Sequence, residues 1–212
     1  MRRNRLRTVA VVVAAVFVAA AQTSAHRLDE LLQAARIGIA GDRVDLELDL
    51  TPGAAVSDRM IAEIDRDGDG SFSNDEQRSF VDRVFTQIKM TADGARLRVT
   101  PRSFTFPAAA AFRAGDGVIA IRAAAPMPAS SQGAHHLAFQ NDYGHDISVY
   151  LANALVPETN RVAVTGQERD GVQSRLIIAY DVRDRQPTAL PLAGATALLA
   201  AIAVGSRRAR LL

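Results

Sequence analysis

Val44-Asp45-Leu46-Glu47-Leu48-Asp49-Leu50 alternates apolar and acidic residues without a fault. Successive side chains of a strand point to opposite faces, so this stretch places four apolar side chains on one face and three carboxylates on the other. That is the pattern of a strand with one face buried and one in water. Residues 35–39 precede it across Gly41-Asp42, and the two are expected to form a hairpin. Further strand signals fall at 95–100, 103–106, 118–123, 136–140, 147–151, 161–165 and 175–182, the last with Leu176, Ile178, Tyr180 and Val182 on one face. Asp93-Gly94, Gly115-Asp116-Gly117, Ala125-Pro126-Met127-Pro128 and Asp170-Gly171 mark turns between them. Short strands at such spacing predict an antiparallel β-sandwich.

One segment breaks the strand pattern. Val56, Met60, Ile61 and Ile64 recur at helical spacing, as do Phe80, Val81, Val84, Phe85 and Ile88. Between these stripes lies Asp65-Arg66-Asp67-Gly68-Asp69-Gly70-Ser71-Phe72-Ser73-Asn74-Asp75-Glu76. A helix–loop–helix over 52–90, inserted after the second strand, is expected. Ser73 and Glu76 also stand at the spacing of a capping box for the second helix, a role compatible with any other they have.

These twelve residues resemble the loop of the EF-hand family. Hard cations prefer several oxygen ligands, and a twelve-residue loop can wrap one with side chains at alternate positions. The resemblance implies a calcium ion held by Asp65, Asp67 and Asp69, by the backbone carbonyl of Ser71, by Ser73 through a water, and by both carboxylate oxygens of Glu76. Gly70 falls where such loops turn sharply, and Phe72 fills the apolar slot that fixes the loop against its neighbour. Magnesium demands tighter octahedral geometry, so calcium is the expected cofactor. The segments near Asp142 and Asp181 lack the Gly and Glu of a second loop, so the hand is unpaired in sequence. An unpaired hand beside a sheet implies a structural ion more than a switch.

Charge is unevenly distributed. The chain has 212 residues, with 25 Lys and Arg against 23 Asp and Glu. Seven of the Arg lie in residues 2–7 and 207–210, whereas every acidic residue lies between Asp29 and Asp184. The middle therefore carries 18 basic against 23 acidic residues, a net charge of about −5. The basic character belongs to the tails, and no nucleic-acid partner is expected. The absence of Cys excludes disulfides, thiol nucleophiles and Cys-ligated zinc.

Both tails read as addresses. Residues 1–25 combine a basic start, an apolar run from Val9 to Ala21 and the small residues Thr23-Ser24-Ala25. That order predicts a secretory signal peptide cut after Ala25; the alternative is an uncleaved N-terminal anchor. Residues 187–205 carry no charge and are followed by Arg207, Arg208 and Arg210, which predicts a single-pass C-terminal transmembrane helix within 185–212. Leu190-Pro191-Leu192-Ala193-Gly194, with the apolar run and basic tail, also resembles the cell-wall sorting signals cut by sortases. The expected organisation is an α+β chain: a β-sandwich-like extracytoplasmic domain over 26–184 with an inserted EF-hand, tethered to the membrane or the cell wall.

Cleavage after Ala25 would leave His26 at the mature N-terminus, where amine and imidazole together can chelate copper or nickel. His26 is thus a second candidate metal ligand. His135 and His136 adjoin on an expected strand and point to opposite faces, and His145 is expected to bond within a turn. The stretch Ala25-His26-Arg27-Leu28-Asp29-Glu30, the loop, and the segment Asp146-Ile147-Ser148-Val149-Tyr150-Leu151-Ala152-Asn153-Ala154-Leu155-Val156-Pro157 are similar to bacterial exported EF-hand proteins. Through them they resemble the outer part of nickel-linked hydrogenase and urease accessory membrane proteins. No nucleophile elbow or phosphate-cradling loop is visible, so no enzyme is expected. Three readings remain open: a calcium-stabilised exported domain, a copper or nickel module using His26, and a surface adhesion domain whose protein partner the sequence does not name.

Overall fold

The computed structural model describes residues 29–128 and 131–183. In chain order these form β1 (Leu31–Ile39), β2 (Arg43–Pro52), α1 (Ala54–Ile64), α2 (Asn74–Thr86), β3 (Ile88–Ala92), β4 (Ala95–Arg96), β5 (Thr100–Thr105), α3 (Ala109–Arg113), β6 (Ile119–Pro126), β7 (Gly133–Asn141), β8 (Ser148–Ala154), β9 (Val162–Arg169) and β10 (Arg175–Val182). The signal peptide, His26 and the C-terminal anchor all fall outside the described residues. Among the described residues no helix is long and apolar enough to cross a membrane.

β1 and β2 pair antiparallel in the expected hairpin, from Ile39 opposite Val44 to Leu31 opposite Pro52. Alternation decides what each face meets. Val44, Leu46, Leu48 and Leu50 are buried, and each such side chain contributes about 1.5–3 kcal/mol by leaving water. Two five-stranded sheets result, ordered β5-β6-β2-β1-β8 and β4-β3-β7-β10-β9. Their inner faces share one apolar core, in which Ile37, Leu46, Leu48 and Ile121 of the first sheet join Met90, Leu137, Leu176 and Ile178 of the second.

The sheets depart from the antiparallel expectation at one place: β8 pairs parallel to β1, from Leu31 opposite Ser148 to Ile37 opposite Ala154. A parallel neighbour needs a long connection, and here more than a hundred residues intervene. Element boundaries also differ from the sequence reading: β1 starts already at Leu31, and Ala125 and Pro126, expected in a turn, end β6. Ile88 does not continue the second helix, which ends at Thr86; it opens β3 and pairs with Asn141. The stretch 95–100 is not one strand either, since β4 stops at Arg96 and β5 starts at Thr100.

Under the helices the two sheets are joined by a buried polar cluster. Gln33 points into the core, where its amide donates to the Tyr143 carbonyl at 2.7 Å and to the Ser148 hydroxyl at 2.7 Å. The Gln33 carbonyl oxygen accepts from the Asn141 amide at 2.8 Å, and the Tyr150 hydroxyl donates to the Tyr143 carbonyl at 2.8 Å. Among the described residues no buried side-chain nitrogen or oxygen is left without a partner, so this cluster fixes register at no desolvation deficit.

Candidate metal centre

α1 and α2 present the loop between them. Buried Val56, Met60, Ile61 and Ile64 fix α1 on the core, and Phe80, Val81 and Val84 fix α2. The Tyr143 hydroxyl reaches up from the sheets to donate to Glu63 of α1 at 2.8 Å, while its ring meets Phe80 of α2 edge-on with centroids 5.9 Å apart. Burial, then the Glu63 carboxylate, raises the Tyr143 pKa, so the hydroxyl stays a donor. Arg59 grips Asp146 through both terminal nitrogens, at 2.7 and 3.2 Å, and Arg83 donates to the Glu63 carbonyl. Each end of the loop is thereby tied to the same base.

α2 begins with a complete capping box. The Glu76 amide donates to the Ser73 hydroxyl oxygen, and the Glu76 carboxylate accepts from the Ser73 amide. A cap of this kind is worth about 1 kcal/mol to the helix. The same carboxylate also closes the loop. Its Oε2 accepts from the Ser73 hydroxyl at 2.7 Å and its Oε1 from the Arg66 amide at 2.6 Å, twelve-residue ends brought together by one side chain. These donors, the Ser73 hydroxyl first, hold the Glu76 pKa down at about 2. It is ionised at any physiological pH.

Asp65 organises the front of the loop. Its Oδ1 accepts from the Gly68 amide at 2.8 Å and the Asp69 amide at 3.1 Å, and its Oδ2 from the Gly70 amide at 2.9 Å. Those bonds require the chain to curl back twice, and it does so at Gly68 and Gly70, with φ of 74° and 84°. A side chain at either position would be strained by that left-handed backbone, so Gly70 has the role the sequence implied and Gly68 shares it.

The curl brings Asp65, Asp67 and Glu76 together: one carboxylate oxygen from each lies within 4.8 Å of the other two. Asp69 and Ser73 stand outside this group and bond within the loop as well. Asp69 accepts from the Ser71 amide at 2.8 Å, and the Ser73 hydroxyl is committed to Glu76. The assembled donors are oxygens only and anionic, with Asp65 and Glu76 half-buried and Asp67 exposed, which suits a hard divalent cation and not a soft one. Among the described residues no Lys, Arg or His forms an ion pair with any of these carboxylates.

The histidines lie elsewhere. His135 is buried on β7 with its Nδ1 at 2.7 Å from Asp93 Oδ2, its Nε2 at 2.8 Å from the Ser131 carbonyl, and its ring stacked on Tyr180. Asp93 raises the His135 pKa, and the His136 amide with the His135 ring lowers that of Asp93. His136 faces solvent, on the opposite side of the strand. The ring of His145 makes no hydrogen bond among the described residues, contrary to its expected turn role. In comparisons with known proteins, no family model and no curated protein matches the chain.

Proposed function

We propose that the chain is a non-enzymatic calcium-binding domain of the EF-hand kind, carried outside the cytoplasm and tethered at its C-terminal end, in which the ion orders the loop between α1 and α2. The observation that carries this reading is the convergence of Asp65, Asp67 and Glu76 without a paired Lys, Arg or His among the described residues. Three like charges held this close repel one another, and a cation from solvent would relieve the repulsion beyond what the loop's own amides and hydroxyl do. Asp69 and the Ser71 carbonyl complete the set that would hold calcium, and Ser73 would act through water. The rest of the proposal draws on the sequence: the apolar run of 9–21 for export and that of 187–205 for tethering.

The surroundings favour a stabilising ion over a switch. α1 and α2 are each anchored by Tyr143, and α2 also leans on α1 through Arg83, so separating them would break buried contacts. Calcium is abundant outside cells, so even a modest affinity would keep the loop filled. Isothermal titration of the purified full-length protein with calcium and with magnesium tests the reading. One calcium per chain, bound tighter than magnesium and lost in Glu76→Gln, is expected. Absence of calcium binding, or equal binding in that variant, would sink it.

A further inference from the structure

Phe72 sits in the middle of the loop, yet its ring is not turned to solvent. It meets Phe106 edge-on at 6.1 Å between centroids and Phe112 at 6.0 Å. Phe106 in turn meets Phe80 of α2 at 5.9 Å, and Phe112 is fully buried. Both come from the connection between β5 and β6, far from the loop in sequence. The Phe72 carbonyl is also engaged, accepting from the Gln77 amide of α2 at 2.7 Å. The ring and the carbonyl at the centre of the loop thus already have partners within the chain.

The connection that supplies these rings is itself fastened to α1. The Ser57 hydroxyl donates to the Arg113 carbonyl at 3.1 Å, and Arg113 pairs with Asp58 at 3.0 Å. Gly115, at φ 77°, lies so close to the start of α1 that an added Cβ would stand 3.3 Å from the Ala54 nitrogen. At Gly117 an added Cβ would collide with the Pro107 ring at 2.6 Å. The short helix α3 and its flanks are therefore wedged against the first turn of α1 and, through Phe106 and Phe112, against the midpoint of the loop.

We propose that Phe106 and Phe112 are positioning residues for the cation loop: the connection from β5 to β6 takes the place of a second hand, sets the affinity of the loop for calcium, and is itself steadied when calcium binds. This rests on the reading that the loop holds calcium. The coupling is reciprocal, since whatever the connection contributes to calcium affinity calcium returns as stability of the connection. A lone loop with this aromatic support needs no second copy of the chain.

The test compares calcium titrations of the full-length protein with those of Phe106→Ala, Phe112→Ala and the milder Phe112→Leu. Phe139→Ala, in the core of the other sheet, serves as a control for general loss of stability. Edge-on ring contacts of this kind predict a calcium dissociation constant raised roughly three- to tenfold in the two Ala variants. A smaller rise is expected in Phe112→Leu and none in Phe139→Ala. Calcium should also slow hydrogen exchange at the amides of Phe112, Ala114, Gly115 and Asp116, and leave the chain's sedimentation unchanged. Dissociation constants equal to wild type, an equal rise in Phe139→Ala, unaltered exchange in the connection, or calcium-dependent dimers would each overturn the coupling while leaving the site intact. A wild-type protein that binds no calcium would overturn the site and the coupling together.

Discussion

Two acidic stretches of this chain share a spacing and differ in fate. Asp45, Glu47 and Asp49 stand at alternate positions of β2, and Asp65, Asp67 and Asp69 at alternate positions of the loop. On the strand, alternate residues are about 6.6 Å apart, so the carboxylates form a ladder and not a cluster. Each has a basic partner from the chain: Arg43 lies 3.0 Å from Asp45, and Arg36 lies 2.8 Å from Glu47 and 2.7 Å from Asp49, with Arg122 behind both. In the loop, left-handed Gly68 and Gly70 curl the chain so that Asp65 and Asp67 of this spacing meet Glu76 in one group, with no basic partner among the described residues. Acidic density alone is therefore no mark of a metal site. Curvature and the absence of an internal counter-charge are what distinguish the loop.

The comparison can be broken or sharpened by substitution. The largest effect is expected on the inner side of β2, where Leu48→Ala should cost about 2–5 kcal/mol in denaturant unfolding, with calcium affinity unchanged. Calcium itself comes next. At a hundredfold excess over its dissociation constant it should raise the melting temperature by roughly 5–10 °C, as read by calorimetry with and without a chelator. Arg36→Ala should cost less than about 1 kcal/mol, an effect that shrinks in high salt, because its partners on β2 are half-exposed. If calcium bound to the β2 ladder of that variant, the contrast between the two stretches would fail.

The smallest effect concerns pH. Asp93 raises the pKa of His135, so the pair's contribution is full below the ordinary histidine value and fades as pH rises through the raised one. The lowered pKa of Asp93 adds a contribution that is present above the ordinary carboxylate value and lost in acid. Melting temperatures taken across neutral pH should therefore fall slightly on the alkaline side. Asp93→Asn should abolish that slope, and a slope that persisted would show that another group produces it.

How much of this was legible depends on how local the signal was. The β1–β2 hairpin, the loop and both of its helices carry their own periodicity, so their residues announce them. Ile88 extends the stripe of Phe80, Val81, Val84 and Phe85 by one more helical step, and nothing nearby shows that it pairs with Asn141 instead. α3 is five residues of mostly Ala, too short for a period. Gln33 lies outside the strand expected at 35–39, and its buried role appears only where Asn141, Tyr143 and Ser148 meet it beside the parallel pairing of β8 with β1. Phe104, Phe106 and Phe112 could have been noticed as an aromatic cluster within ten residues, yet only the fold shows that Phe106 and Phe112 meet Phe72 and that Phe104 meets Phe106. Apart from α3, what escaped the sequence reading was a partner distant in the chain.

Thermal unfolding of the full-length protein and of its Glu76→Gln variant, each with millimolar calcium and with chelator, tests calcium binding most directly. Calcium should raise the melting temperature of the wild type and leave that of the variant unmoved. No rise in the wild type, or the same rise in both, would contradict the assignment of the loop as a calcium site.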